Sequence, residues 1–141
     1  MQEPVSAHPP SPASAGAIPP TLTEDGFLNG RLRILQPEKG YRAGIDAVFL
    51  AASVPCAPGD KVFEAGMGTG VAALCLAHRV PGLQITGVEV AARYAMLAEE
   101  NARRNECGAG VKVIHADIKD ALRRDVAHMP AAGSFAHAFA N

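Results

Sequence analysis

Apolar and polar positions change period several times along this chain, and each change marks an element. Phe27 to Ile34 reads as a small hairpin, with Asn29-Gly30 suited to a type I′ turn and the alternation of Arg31 to Ile34 suited to a half-buried strand. Gln36 to Gly44 is a loop. Ile45 to Val54 is apolar on every side apart from Asp46 and Ser53, which predicts a buried helix. Asp46 falls in its first turn, where a carboxylate complements the helix dipole, and Pro55 ends it. Lys61 to Ala65 is a short apolar strand that passes through Gly66, Gly68 and Gly70 into an apolar helix running to about Arg79. Pro81-Gly82 turns the chain, and Leu83 to Val90 reads as the next strand, with Glu89 near its end. Ala91 to Asn105 is a helix with Tyr94, Leu97, Ala98 and Ala102 on one face. On the other face Glu99–Arg103 and Glu100–Arg104 are correctly oriented i,i+4 pairs. Gly108 or Gly110 stops that helix. Val111 to Ala116 is a third strand leading to Asp117, Lys119 to His128 a short helix, and Phe135 to Ala140 a fourth strand before Asn141. Strands alternating with helices at this spacing predict an α/β fold: a parallel sheet with right-handed crossovers.

The first 22 residues stand apart. Six of the eleven prolines lie in the first twenty positions, and Glu3 is the only charged side chain there. Such a segment cannot bury enough apolar surface to offset its ordering entropy, so residues 1–22 are expected to be a disordered tail. They lack the basic start and unbroken apolar core of a signal peptide and the arginines of a transit peptide. The chain has 141 residues, room for one domain, which is taken to occupy residues 23–141. It is 48% hydrophobic and 19% charged, a globular composition, and its net charge of −1 does not point to strong nucleic-acid affinity of the whole surface. Three cysteines without paired spacing argue against a disulfide framework or a metal site and for a reducing cytoplasm. Cys75 reads as a small core residue. No run approaches the ~18 apolar residues of a membrane span.

The candidate chemistry follows from where the polar residues interrupt the strands. In a parallel sheet the ligand crevice lies at the carboxyl ends of the strands. Glu64 with the glycine turn, Glu89, Asp117 and Asn141 each stand at such an end. Glycines in the turn accept positive φ and let a ligand approach the backbone, and the helix behind directs its N–H groups there. Glu89 follows Gly70 by nineteen residues, close to the ~20-residue offset of an acid that grips ribose hydroxyls. It could equally cap the next helix. Asp117 could bond an adenine amino group or cap the helix after it. Gly68-x-Gly70-x-x-Ala73 satisfies a relaxed dinucleotide fingerprint. A pyrophosphate, however, disfavours a carboxylate as near as Glu64. A ligand with a cationic amino acid end would accept it, and S-adenosylmethionine carries an ammonium, a sulfonium, a ribose and an adenine in an order that matches the acids along the chain.

Several stretches together resemble one family. They are Thr23-Glu24-Asp25, the run Gln36-Pro37-Glu38-Lys39-Gly40-Tyr41-Arg42-Ala43-Gly44-Ile45-Asp46-Ala47-Val48-Phe49-Leu50, the turn Glu64-Ala65-Gly66-Met67-Gly68-Thr69-Gly70, and Phe139-Ala140-Asn141. This set is similar to the tRNA1(Val) adenine-N6 methyltransferases, which are Rossmann-like class I methyltransferases. The glycine motif is general to the superfamily, while Tyr-Arg-Ala-Gly-Ile-Asp is more specific. The resemblance implies S-adenosylmethionine as cofactor, with Glu64, Gly66, Gly68 and Gly70 at its methionine end, Glu89 on the ribose and Asp117 on the adenine. It makes Asn141 the catalytic Asn that opens the family's Asn-Pro-Pro-Tyr motif, and tRNA the partner.

The two prolines and the tyrosine that follow that Asn in the family are absent from this chain. The expectation is therefore an incomplete sheet lacking its C-terminal strands: a truncated domain that binds cofactor weakly and is catalytically incomplete. Its bare fourth strand would invite marginal stability and self-association. Glu64 stands where Asp is more usual, and Met67 where Cys is common. Two other classes stay open, an NAD-binding oxidoreductase fragment and a non-catalytic nucleotide-binding module. Arg31, Arg33, Lys39 and Arg42 form a basic cluster that could steer tRNA phosphates or be plain surface. The five histidines show no metal spacing, and none is given a role.

Overall fold

The computed structural model describes residues 21–123 and 126–141. In chain order the elements are β1 (Leu22–Phe27), β2 (Leu32–Pro37), α1 (Ile45–Ser53), β3 (Lys61–Ala65), α2 (Val71–Arg79), β4 (Gln84–Glu89), α3 (Ala92–Arg104), β5 (Val111–His115), α4 (Ile118–Arg123) and β6 (His137–Ala140). The expected disordered tail lies outside the described residues up to position 20. Its assigned end at residue 22 is corrected, because Leu22 already opens β1.

Strands β3, β4, β5 and β6 form one sheet in the order β5-β4-β3-β6. Each neighbouring pair in it is parallel. The expected α/β architecture is therefore present, with the glycine-turn strand β3 between β4 and β6. Successive residues of a strand face opposite sides, and the two cores follow that alternation. Val62 and Ile85 face the core built with β2, α1, α2 and α3, whereas Phe63, Val88 and Ile114 face a smaller cluster with Ala121. Glu64 shares the face of Val62. Among the described residues β6 is an edge strand, with Ala138 and Ala140 exposed on it.

Four expectations are corrected. The hairpin forms, but Phe27 pairs with Leu32, so its connection has four residues rather than an Asn-Gly pair. Leu28, Asn29 and Gly30 all have positive φ, and Leu28 is carried inward against the core, which offsets the strain. Helix α1 is not buried all round: Ala47 and Ala51, one turn apart, face inward, while Ile45 and Phe49 remain 68% and 66% exposed. The helix expected from Lys119 to His128 is the short α4. On α3 the acid–base pairing is Glu100–Arg103, three residues apart, while Arg104 reaches across to Glu24 on β1.

The hairpin lies outside the parallel sheet and is tied to α3 by two asparagines one helical turn apart. Asn101 accepts the Leu35 N–H through Oδ1 at 2.8 Å and donates through Nδ2 to the Leu35 carbonyl at 3.0 Å. Asn105 does the same to Arg33, at 2.9 Å in both directions. Four helical residues rise about 6 Å, and two strand residues span about 6.7 Å, so the spacings match. α3 thus supplies, through side chains, the hydrogen bonds a further strand would give the free edge of β2.

Candidate functional site

The carboxyl ends of β3 and β4 meet at the glycine turn. Gly66 and Met67 both donate their amides to the Val88 carbonyl, at 2.9 and 3.0 Å, which draws the turn onto β4. Gly66, Gly68 and Gly70 have φ of 71°, 58° and 85°, so every second residue of the turn uses left-handed backbone. Gly70 is the N-cap of α2 and packs on Ala98, where a Cβ would come within 3.3 Å of that methyl. At Gly68 a Cβ would lie 2.9 Å from Tyr41 Cε1. The tyrosine ring therefore rests directly on the turn.

Glu89 closes the turn from the other side. One carboxylate oxygen accepts the Gly68 N–H at 2.8 Å and the other accepts the Ala91 N–H at 2.8 Å. It therefore holds both the glycine turn and the start of α3. Glu89 thus bonds backbone at a helix entry, as a cap would, and it also lines the hollow over the turn.

A cavity of about 400 Å³ opens over the turn, lined by Tyr41, Asp46, Gly66, Gly68, Glu89, Ala91, Tyr94 and Asn141. A smaller one of about 110 Å³ adjoins it through Gly66 and is lined also by Val88, Val90, Ala116, Asp117 and Ile118. A hollow of similar size around Lys61, Gln84 and Gly110 lies at the opposite ends of the strands. Volume alone therefore does not mark the site; the glycine turn and the strand-end acids do.

Of the residues expected from the sequence, Gly66, Gly68, Glu89 and Asn141 converge on the larger cavity and Asp117 stands in the smaller. Asp117 is exposed, and its Oδ1 accepts the Lys119 amide at 2.8 Å, so it caps α4. Gly70 supports the turn from behind α2 and is not a lining residue. Glu64 differs most from expectation. It is 2% exposed on the α2 face of β3, beneath the turn rather than in the cavity wall. Burial pushes its carboxyl up to about 8, against a smaller downward pull from the Ala73 amide and a further push from Glu89. The same burial, with Glu64 nearby, pushes the Cys75 thiol up to about 11, in keeping with an inert core cysteine.

Four lining residues carry no chemistry assigned from the sequence: Tyr41, Asp46, Ala91 and Tyr94. Tyr94 was read only as core. Tyr41 and Asp46 open and close the Tyr-Arg-Ala-Gly-Ile-Asp run, which carries family character, and Asp46 also complements the α1 dipole. In the fold the Tyr94 hydroxyl accepts the Tyr41 amide at 3.0 Å, and the two rings meet edge to face with centroids 6.0 Å apart. The loop bearing Tyr41 is fixed by Gln36, 1% exposed. Gln36 accepts the Ala43 N–H at 2.8 Å and donates to its carbonyl at 3.2 Å. Arg42 is paired with Asp25 at 2.5 Å, and Arg33 with Glu24 at 2.8 Å. Half of the basic cluster is thus neutralised by the hairpin's own acids.

Asn141 reaches the cavity from the end of β6. Its Nδ2 donates to Asp46 Oδ2 at 2.5 Å. That bond is the main reason the Asp46 carboxyl lies below the usual aspartate range. Tyr41 is raised, chiefly by burial and then by Asp46 and Glu64.

A family model described as a methyltransferase domain matches residues 62–140, from β3 to the end of β6. The chain belongs to this methyltransferase family. Among curated relatives it is 31% identical over 93 residues to a tRNA1(Val) (adenine(37)-N6)-methyltransferase of Vibrio campbellii, covering 66% of this chain and 39% of that protein. It is 35% identical over 99 residues to the protein of the same name from Pedobacter heparinus, covering 70% and 42%. The chain thus spans about two fifths of the length of the curated relatives it matches. Among solved structures, a geranyl diphosphate methyltransferase in complex with S-adenosylmethionine superposes with a TM-score of 0.58 at 25% identity, covering 68% of this chain and 36% of that one. A geranyl diphosphate C-methyltransferase from Streptomyces coelicolor, in complex with S-adenosylhomocysteine, has the same fold, with a TM-score of 0.57 at 22% identity over 68% of this chain and 33% of that one. The methyltransferase sheet expected from the sequence is therefore the one observed. No helix among the described residues is long and apolar enough to cross a membrane.

Proposed function

We propose that this methyltransferase domain binds S-adenosylmethionine over its glycine turn and serves methyl transfer to the exocyclic N6 amine of an adenine in tRNA. The observation that carries the reading is the placement of the Asn141 carboxamide at the same cavity as Gly66, Gly68 and Glu89. An amide acceptor suited to an amine thus stands beside the cofactor turn. The adenine and tRNA are suggested by the names of the curated relatives.

The residues fit a cationic cofactor. Glu64 Oε2 is buried without a hydrogen-bond partner among the described residues. The Gly68 amide, which would cradle a phosphate, is already taken by Glu89. The hollow itself is lined by the carboxylates of Asp46 and Glu89, with Glu64 beneath the turn, so it offers acceptors to a cation and hydroxyls and few free amides to a diphosphate. This weighs against the NAD reading. Bound there, S-adenosylmethionine supplies a methyl group on a sulfonium whose departure leaves a neutral thioether. Glu89 retains acceptor capacity for ribose hydroxyls, since each carboxylate oxygen can accept more than one hydrogen bond. The oxygen of Asp117 not used for capping would accept the adenine amino group.

An exocyclic amine is a weak nucleophile because its lone pair is delocalised into the ring. Asn141 Oδ1, accepting one N–H, would draw the nitrogen toward a pyramidal geometry and hold it in line with the methyl, so the residues act mainly by positioning. The target base would have to leave its stack to reach this depth. The cytoplasm, where tRNA is modified, is the compartment this reading implies.

Two measurements test it. Calorimetry should show S-adenosylhomocysteine binding and no binding of NADH. Mass spectrometry of unmodified tRNA incubated with S-adenosylmethionine and a version of the chain extended past Asn141 should show one added methyl on adenine N6, lost in Asn141→Ala. Binding of NADH alone would reject the cofactor assignment. Transfer to a carbon or an oxygen acceptor would reject the amine.

A further inference from the structure

We propose that Asp46 is a positioning residue that sorts the Asn141 carboxamide, so that its nitrogen is held on α1 and its oxygen is turned to the cavity. The inference deepens the function proposed above and rests on it for its catalytic consequence, though not for its structural content.

A carboxamide has two ends of similar shape and opposite chemistry. Nothing in its size decides which end faces a substrate; only its partners do. Asp46 Oδ2 lies 2.5 Å from the Asn141 nitrogen. An ionised carboxylate only accepts, so it bonds the NH₂ end and repels the carbonyl end. Turning the amide over would bring two acceptor oxygens to that same short separation. Asp46 is itself fixed: its Oδ1 accepts the Gly44 amide at 3.1 Å, and it sits in the first turn of α1, where the dipole favours the ionised form. Both residues line the cavity over the glycine turn, and Tyr41 stands beside them.

The titratable groups that line the cavity with this pair are Tyr41 from the loop before α1, whose hydroxyl is also hydrogen-bonded to the Asn141 side chain, Tyr94 from α3 and Glu89 from β4. None is a cation, so no basic side chain among them competes for the Asp46 carboxylate. The link spans ninety-five residues of sequence and joins α1 to the end of β6. An amine acceptor needs an oxygen there, and a flipped amide would present a donor to a donor. Asp46 therefore removes the unproductive orientation before any substrate arrives.

The test uses the full chain labelled with ¹⁵N and ¹³C. In the unsubstituted protein the Asn141 side-chain amide resonances should move together with the Asp46 carboxyl as pH falls through the Asp46 titration. In Asn141→Ala the Asp46 midpoint should rise toward the ordinary aspartate value. In Asp46→Asn the Asn141 amide signals should shift and lose their pH dependence, while the backbone amide signals of the parallel sheet keep their dispersion, which reports that the variant is folded. Asn141 signals indifferent to Asp46→Asn, or an Asp46 midpoint indifferent to Asn141→Ala, would overturn the sorting. In the methyl-transfer assay kcat should fall about 10- to 100-fold in Asp46→Asn, a larger factor than any change in cofactor KM, and Asp46→Glu should restore part of it. Equal turnover in Asp46→Asn would overturn the positioning role. Sorted Asn141 signals in a protein that transfers no methyl would count against the proposed function and leave the sorting supported.

Discussion

The carboxylate of Glu89 and the amide of Gly68, twenty-one residues apart, meet at 2.8 Å in a buried hydrogen bond. The acid that closes β4 thereby sets the shape of the turn that closes β3. Its second oxygen holds Ala91 at the entry to α3. Replacement by Ala leaves two backbone amides without their charged partner, a loss on the order of 1.5–3 kcal/mol for each charge-assisted bond. Glu89→Ala should weaken S-adenosylhomocysteine binding at least 10-fold by calorimetry, with Glu89→Gln intermediate. Unchanged affinity in Glu89→Ala would mean the turn is shaped without it.

Gly68 has positive φ and no room for a Cβ under Tyr41. Gly68→Ala should cost about 1–2 kcal/mol in urea unfolding from the left-handed backbone alone, with a further loss from displacing the ring. Adding Tyr41→Ala should recover the steric part only. A double variant no better than Gly68→Ala would show that the ring moves away freely.

Asn101 is fully buried and makes three hydrogen bonds, to both sides of Leu35 and to the Thr69 carbonyl, so it joins the hairpin, α3 and the glycine turn. Asn101→Ala should destabilise by about 2–4 kcal/mol, because buried backbone groups lose their partners. Asn105→Ala, in a more exposed setting, should cost about 1 kcal/mol or less. Equal effects in chemical denaturation would contradict the difference in burial.

Burial raises the Glu64 carboxyl from 4.5 to about 8. Its folded form therefore holds a proton that the unfolded chain releases above about 4.5. The associated stability is fully present below pH 4.5, declines as pH rises, and is lost above about 8. Glu64→Gln should flatten this part of the pH–stability curve. A cation bound above the turn would favour the ionised form, so S-adenosylmethionine binding should release a proton near pH 7, detected as a buffer-dependent enthalpy. Buffer-independent heat for the wild type would place Glu64 out of the ligand's field.

Among the described residues strand β6 is an edge, with Ala138 and Ala140 exposed on it. We expect concentration-dependent self-association through it, since a neutral edge lacks the charges that discourage pairing. Ala138→Lys should suppress the larger species in sedimentation velocity. Monomer at every concentration would dismiss the edge as an interface.

Much of the site was legible because its parts are local. A strand, a left-handed glycine turn and a helix are written within Lys61 to Arg79, and an acid at the end of each following strand is placed by the period of the chain. The alternation of strands and helices was enough for the parallel sheet. Asn141, too, was placed by its position after a strand. What the linear pattern left open was everything fixed by contact between distant segments. α1 is apolar apart from Asp46 and Ser53, but only Ala47 and Ala51 of it are fully buried while Ile45 and Phe49 stay exposed, so sequence reports what could be buried and not what is covered. Tyr94 faces inward as its helix period requires, yet its hydroxyl serves Tyr41 fifty-three residues away. Glu64 was visible as an acid near the turn, but whether it faced ligand or core depended on which side of β3 met α2. The Asp46–Asn141 bond depends on α1 and β6 arriving side by side. Backbone propensity and hydrophobic period are properties of neighbouring residues and are therefore carried in the sequence itself. The partners of a buried polar side chain are settled only when packing brings remote segments together and leaves each donor and acceptor the few neighbours within reach.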